Sequence, residues 1–258
     1  MNAATLPPLA LETTGLEKRF GGLVATSNVS LSLKRGARQA LIGPNGAGKT
    51  TLINLLTGVL SPSAGSIRLD GEDITHLRQD GRVRRGLART FQINQLFADL
   101  TPLETVSLAI SEREGGGGGG RWWPRLGADA AATREAAELL DRFLLSDVAG
   151  RRTGDLAYGR QRLLEIATAV ALRPRVLLLD EPAAGVPEEE RHEILAIVKA
   201  LPADVTILLI EHDMDLVFSF ADRISVLVAG ALLTEGTVAE IAADPRVRTA
   251  YLGEGEDV

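Results

Sequence analysis

The run Gly43-Pro44-Asn45-Gly46-Ala47-Gly48-Lys49-Thr50 fits the spacing G-x-x-x-x-G-K-[ST] in full. Glycines at these places allow backbone turns that a Cβ would obstruct, so the N–H groups from Gly46 to Thr51 can converge on phosphate oxygens. A helix starting at the same point adds partial positive charge. Lys49 can then reach the β- and γ-phosphates, and Thr50 can offer a hydroxyl to Mg²⁺. A second constellation is Asp180-Glu181, which closes the apolar run Val176-Leu177-Leu178-Leu179. Asp180 is suited to hold Mg²⁺ through water, and Glu181 to orient and deprotonate an attacking water. Taken singly, each motif has a bland reading: an incidental glycine turn, or a solvated strand end. Together they point to the binding and hydrolysis of a nucleoside triphosphate.

Those residues need a scaffold, and hydrophobic periodicity supplies its outline. Strands are expected over 11–20, 29–33 and 39–43, and a helix over 49–57 directly after the glycine-rich turn. Residues 66–69 read as a strand closed by the turn dipeptide Asp70-Gly71. From about Thr101 to Leu172 the pattern is mostly helical, with helices expected over 102–112, 130–145 and 161–172. Residues 176–179 and 205–210 are apolar on both faces, as central parallel strands covered by helices are. Between them, 188–201 carries Ile194, Ile197, Val198 and Leu201 at helical spacing. A strand over 224–228, a turn at Gly230 and a strand over 232–234 follow, and Thr237 with Glu240 makes a capping-box pattern. The order predicts an α/β fold whose sheet core is interrupted by a helical insertion. Within the insertion the glycine run from Gly115 to Gly120 reads as a flexible surface linker. Trp122 and Trp123 after it are expected to pack over the insertion, with a membrane or partner contact as the alternative.

Composition narrows the class. With 258 residues and 45% hydrophobic content the chain can bury one large core, or a core with an embedded subdomain. Its apolar runs fall far short of the roughly 20 residues a membrane helix needs. No basic segment followed by an apolar one opens the sequence, so no signal peptide is expected. The absence of cysteine excludes disulfides and thiolate metal sites. A net charge of −6 argues against a general nucleic-acid binder, which needs clustered Lys and Arg.

Many phosphate-loop enzymes share the first two motifs. Here a third element, Leu156-Ala157-Tyr158-Gly159-Arg160-Gln161, precedes the acidic pair and opens a helix. It resembles the signature sequence of ABC-type ATPases, usually Leu-Ser-Gly-Gly-Gln. Gln92 in Thr90-Phe91-Gln92, His212 in Ile210-Glu211-His212-Asp213 and Phe20 in Lys18-Arg19-Phe20-Gly21 fall in that family's order. The resemblance runs from about Leu11 to Leu252. It implies a phosphate-loop fold of ABC type with a mixed sheet core: one domain over 9–258, an inserted helical subdomain over 93–172 and a family-type tail over 237–254. ATP and Mg²⁺ are then the expected ligands. Phe20 would stack on adenine, Gln92 would join Mg²⁺ or the attacking water, and His212 would donate to the γ-phosphate. The signature residues would act on ATP held by an opposing subunit.

Further stretches narrow the likeness. Phe20-Gly21-Gly22-Leu23, Arg89-Thr90-Phe91-Gln92, Glu181-Pro182-Ala183-Ala184-Gly185 and Ala250-Tyr251-Leu252-Gly253-Glu254 are similar to the first type of ATPase subunit in branched-chain amino acid importers. That implies transmembrane permease subunits, a second related ATPase or a second copy of this chain, and indirectly a periplasmic solute-binding protein. The expected place is the cytoplasm, on the inner face of the cell membrane. Uptake of urea, amides or aromatic acids, lipid or lipopolysaccharide export, and a soluble non-transport ATPase stay open as alternatives. Two positions depart from the pattern. Ala157 lacks the usual signature serine hydroxyl, with Arg160 as a cation that can partly compensate. Pro187 cannot supply the side-chain contact of the dimer loop. Both bear on the site the chain completes for its partner.

Overall fold

The computed structural model describes residues 8–90, 96–115 and 130–252. In chain order they form strands β1 (Leu9–Phe20), β2 (Leu23–Val29), β3 (Ser32–Lys34) and β4 (Arg38–Ile42), then helix α1 (Lys49–Thr57). Strands β5 (Ala64–Leu69) and β6 (Glu72–Asp73), helix α2 (Gln79–Arg84) and strand β7 (Leu87–Arg89) follow. Next come helices α3 (Pro102–Arg113), α4 (Ala130–Arg142) and α5 (Tyr158–Ala171), strand β8 (Val176–Asp180) and helix α6 (Glu188–Lys199). The chain continues with β9 (Thr206–Ile210), α7 (Met214–Phe220), β10 (Arg223–Val228), β11 (Ala231–Thr237), α8 (Val238–Ala243) and α9 (Pro245–Leu252). Two compact units result: one takes the chain up to Leu87 with Arg175–Glu181 and everything from Pro202, the other Ala88–Pro174 with Pro182–Leu201.

The first unit holds two sheets. One runs β2-β1-β5-β6, with β3 also paired to β1. The other runs β11-β10-β4-β9-β8-β7. In the latter, β10, β4, β9 and β8 are mutually parallel and β11 is antiparallel. Every residue of β4, β8 and β9 is buried, which explains the apolar runs over 40–42, 176–179 and 207–210 within them. Leu52, Ile53, Leu55 and Leu56 of α1 join Leu41, Leu178, Leu208 and Leu227 of that sheet and Leu11, Leu33 and Ile67 of the other in one core.

In the second unit α3 packs on α4 and α5, and α5 on α6. Val106, Ile110, Ala136, Leu140, Leu164 and Ala167 lie fully buried there. Helix α3 opens on a complete capping box: Thr101 Oγ1 accepts from Glu104 N–H at 3.2 Å, and Glu104 accepts from Thr101 N–H at 2.8 Å. The expected insertion covered 93–172, whereas this unit also takes in residues 182–201.

Two expectations are corrected in detail. The single strand over 29–33 is two strands, because the buried Thr13 hydroxyl stands in for part of the ladder. It donates to Val29 O and accepts from Leu31 N–H, both at 2.9 Å. The helix expected from Gln161 starts three residues earlier, at Tyr158, so Tyr158, Gly159 and Arg160 occupy its first turn. Thr237 and Glu240 form the expected box at the start of α8, with bonds of 3.3 and 2.7 Å.

Candidate nucleotide site

Strand register assembles the site. Leu41 pairs with Ile210, Ile210 with Asp180, and Ile42 with Val226, so four parallel strands end level. From those ends leave the loop Gly43–Gly48, the pair Asp180-Glu181, the pair Glu211-His212 and the turn Ala229-Gly230. In open α/β sheets ligands bind outside the carboxyl ends of the strands.

The loop is braced from behind. Gly230 N–H donates to Ala47 O at 2.9 Å, and Ser27 N–H to Gly230 O at 2.7 Å. A Cβ on Gly48 would sit 2.6 Å from the Ala25 carbonyl, and one on Gly43 would collide with the Leu227 carbonyl. Glycine is therefore required here for close backbone approach as well as for turning. Gly48 is the N-cap of α1 in a left-handed conformation with no side-chain cap bond. The first amides of α1 thus keep the unfilled donors of a helix start, the arrangement that receives an anion. Lys49 Nζ donates to Gly43 O at 2.5 Å and Pro44 O at 3.0 Å. Burial pulls its pKa below the usual lysine value, while Glu181 and Asp180 push it back up.

Asp180 is buried, and Glu181 adopts a left-handed backbone with φ of 47°. That conformation is uncommon for a side-chain-bearing residue and costs about 1 kcal/mol or more. It is held by Glu181 N–H donating to Ile210 O at 2.9 Å. His212 Nδ1 lies 3.7 Å from Glu181 Oε1 and 3.8 Å from Glu211 Oε2, and the imidazole is mostly exposed. Phe20 ends β1 beside a two-residue turn and is 47% exposed, with Lys18 Nζ 5.1 Å from its ring centroid. An apolar face this open is available for stacking.

The structure thus brings Gly43, Pro44, Asn45, Gly46, Ala47, Gly48, Lys49, Thr50, Thr51, Asp180, Glu181 and His212 to one sheet edge, with Phe20 in the same unit. Gln92, Gly116–Gly120, Trp122, Trp123 and the tail residues Gly253 and Glu254 lie outside the described residues. The signature residues Leu156, Ala157, Tyr158, Gly159, Arg160 and Gln161 belong to the second unit. Ala157 is the N-cap of α5 and gives no side-chain cap. Gln161 Nε2 instead bonds Leu156 O at 3.0 Å and Thr153 O at 3.2 Å, which fixes the loop. Arg160 donates to Leu144 O and, at 3.1 Å, to Asp147, both within its own unit. Sequence reasoning gave Glu211 no role, and it read the turn at Gly230 without its bond to Ala47, which joins residues far apart in the chain.

The donor set fits Mg²⁺. The Thr50 hydroxyl, in the first turn of α1, and the Asp180 carboxylate, at the end of β8, are hard oxygen donors. Among the described residues no group of three or more acidic, His or Cys side chains forms an all-protein cage. Mg²⁺ characteristically takes one or two protein oxygens and completes its shell with phosphate and water.

Comparison with known proteins decides the family. The family description "ABC transporter" matches residues 26–184. The chain belongs to the ABC transporter family, as its ATP-binding subunit. A second description, "Branched-chain amino acid ATP-binding cassette transporter", matches residues 231–257. The high-affinity branched-chain amino acid transport ATP-binding protein BraF of Pseudomonas aeruginosa is 44% identical over 95% of this chain and 98% of its own length. The protein LivG of Escherichia coli K12, of the same description, is 42% identical over 95% of this chain and 98% of its own. Among solved structures, the ADP conformation of an ABC transporter cassette superposes with a TM-score of 0.84. It shares 33% identity and covers 95% of this chain and 99% of that one. A nucleotide-free cassette gives 0.83 at 32% identity, with 95% and 100% covered. This ABC subunit is an ATPase that binds nucleotide and serves membrane permease subunits.

Proposed function

We propose that this ABC subunit hydrolyses ATP with Mg²⁺ to energise import of branched-chain amino acids, as one half of a nucleotide-sandwiching pair. The observation that carries the reading is the meeting of Lys49, Asp180, Glu181 and His212 at the level ends of four parallel strands. The solute class is supported by the match over residues 231–257 and by the names of BraF and LivG.

In this reading the amides from Gly46 to Thr51 grip the β- and γ-phosphates, and Lys49 leaves the Gly43 and Pro44 carbonyls to join them. Phe20 stacks on adenine. Thr50 and Asp180, with Gln92, hold Mg²⁺, which neutralises charge on the phosphate oxygens when bound. Glu181 takes the proton of the attacking water. His212, beside Glu181, donates to the γ-phosphate as charge develops on it. The α5 N-terminus, with Gly159 in its first turn, meets the γ-phosphate held by the opposing subunit, either a second related ATPase or another copy. Hydrolysis removes the bridging charge and opens the pair. The two membrane permeases and a periplasmic binding protein complete the importer, which sets this subunit on the cytoplasmic face. Among the described residues no helix is long and apolar enough to cross a membrane.

Glu181→Gln tests the assignment. It keeps size and polarity but removes the base, so hydrolysis should fall by about 10²–10⁴ while ATP stays bound. Size-exclusion chromatography with MgATP should then reveal a persistent dimer. Turnover equal to the parent would remove Glu181 from the role of base.

A further inference from the structure

Residues 231–257 have a family description of their own but no part in the nucleotide chemistry above. Within the first unit this segment is β11, α8 and α9. It departs from the Ala229-Gly230 turn, whose two residues both have positive φ and whose Gly230 N–H holds Ala47 O. Helix α8 packs on β10 and β11, and α9 packs on α8. The path returns the chain to the strand, β10, whose Leu227 carbonyl abuts Gly43. At its end stands Tyr251. Its hydroxyl oxygen is fully enclosed and makes no hydrogen bond of good geometry within the described residues. The group facing it is the backbone N–H of Gly43, the first residue of the phosphate loop. Burial pushes the phenol up to about 12, with the Gly43 amide opposing, so the side chain is a neutral hydroxyl throughout the physiological range.

A buried hydroxyl with a backbone donor in front of it and no completed bond is costly to leave so. The Gly43 carbonyl, in the next peptide across its Cα, carries the resting Lys49 ammonium at 2.5 Å. When Lys49 moves onto a phosphate, that carbonyl is released, and the glycine, with no Cβ, can rotate about its Cα and turn its N–H onto the tyrosine oxygen.

Resting on the reading of Gly43–Thr51 as a nucleotide cradle, we propose that the C-terminal segment braces the phosphate loop, with Tyr251 as a positioning residue whose hydroxyl accepts the Gly43 N–H once Lys49 engages phosphate. The brace sets how tightly the loop closes on a triphosphate. It has no reason to affect recognition of the adenine ring.

Tyr251→Phe deletes the hydroxyl and keeps the ring. Calorimetric titration of the full chain with ATP and separately with adenosine distinguishes the outcomes. The loss of one neutral hydrogen bond should weaken ATP about threefold to tenfold. Adenosine affinity and the nucleotide-free melting temperature should stay as in the parent. Hydrogen exchange of the Gly43 amide in the ATP complex should accelerate in the variant. Unchanged ATP affinity overturns the brace, and so does an equal loss for ATP and adenosine or a lowered melting temperature, each of which marks general loosening. A parent that binds no ATP fails the underlying cradle instead, a result recognisable because Lys49→Ala then changes nothing either.

Discussion

Lys49 shows how much of a residue's behaviour its short motif conveys. Spacing alone singled it out as the lysine proposed for phosphate, because that motif depends on neighbours within a few positions. Its protonation is set by distant residues instead: burial lowers its pKa, and Glu181 and Asp180 oppose this. Bound phosphate favours the ammonium, so the pKa is higher in the complex than in the free protein. ATP affinity should hold at neutral pH and decline as pH rises through the free protein's lowered value. It should level off again above the value of the complex. Titration calorimetry in buffers of different ionisation enthalpy should detect proton uptake across that alkaline window, and Lys49→Arg should abolish it. Glu181 was legible from its place after an apolar strand, but its left-handed backbone was not. That strain depends on the Ile210 carbonyl, which sequence proximity does not reveal.

At the scale of elements, strong local signals read well. Helix α1 spans the expected 49–57, and the box at α8 involves the Thr237 and Glu240 pair that its spacing suggests, while the box of Thr101 and Glu104 at α3 went unread. Misreadings arose where a buried side chain overrode periodicity, as Thr13 does between β2 and β3. Arg82 is a stronger instance. It is 1% exposed, and its guanidinium donates to Leu55 O and Leu56 O at the end of α1, to Thr75 O and to Leu77 O. A cation there also suits the negative end of the helix that carries the phosphate loop. Desolvation lowers its pKa to about 10, so it remains charged at neutral pH. Nothing in composition marks this arginine as interior. Arg82→Ala strands four buried carbonyls and should cost about 2–5 kcal/mol, measured by denaturant unfolding. Arg82→Lys reaches fewer of them and should recover part of the loss. Ala157→Ser, by contrast, supplies a missing N-cap and should stabilise α5 by about 0.5–1 kcal/mol.

For the molecule as a whole, the α/β order with a helical interruption followed from periodicity. The assignment of residues 182–201 to the second unit did not, since α6 reads like any amphipathic helix. Transport class came through resemblance, because an ATPase surface carries no imprint of the solute. The branched-chain reading therefore makes its prediction on the full assembly. With permeases in membranes, ATP turnover should rise when the binding protein is loaded with leucine, isoleucine or valine. Urea, amides and aromatic acids should leave it at the basal rate. A rise with one of those solutes instead would redirect the cargo while leaving the ATPase intact.

The neighbours of β4 have a temporal consequence. The strand that launches the phosphate loop lies between β9 and β10, and Ala47 is fastened to Gly230. A ribosome finishes the loop itself long before it makes either flanking strand. Nascent chains halted before β10 should therefore ignore nucleotide. The cell's ATP then meets a competent cradle only after both neighbours of β4 have been made, which spares it futile hydrolysis by shorter fragments.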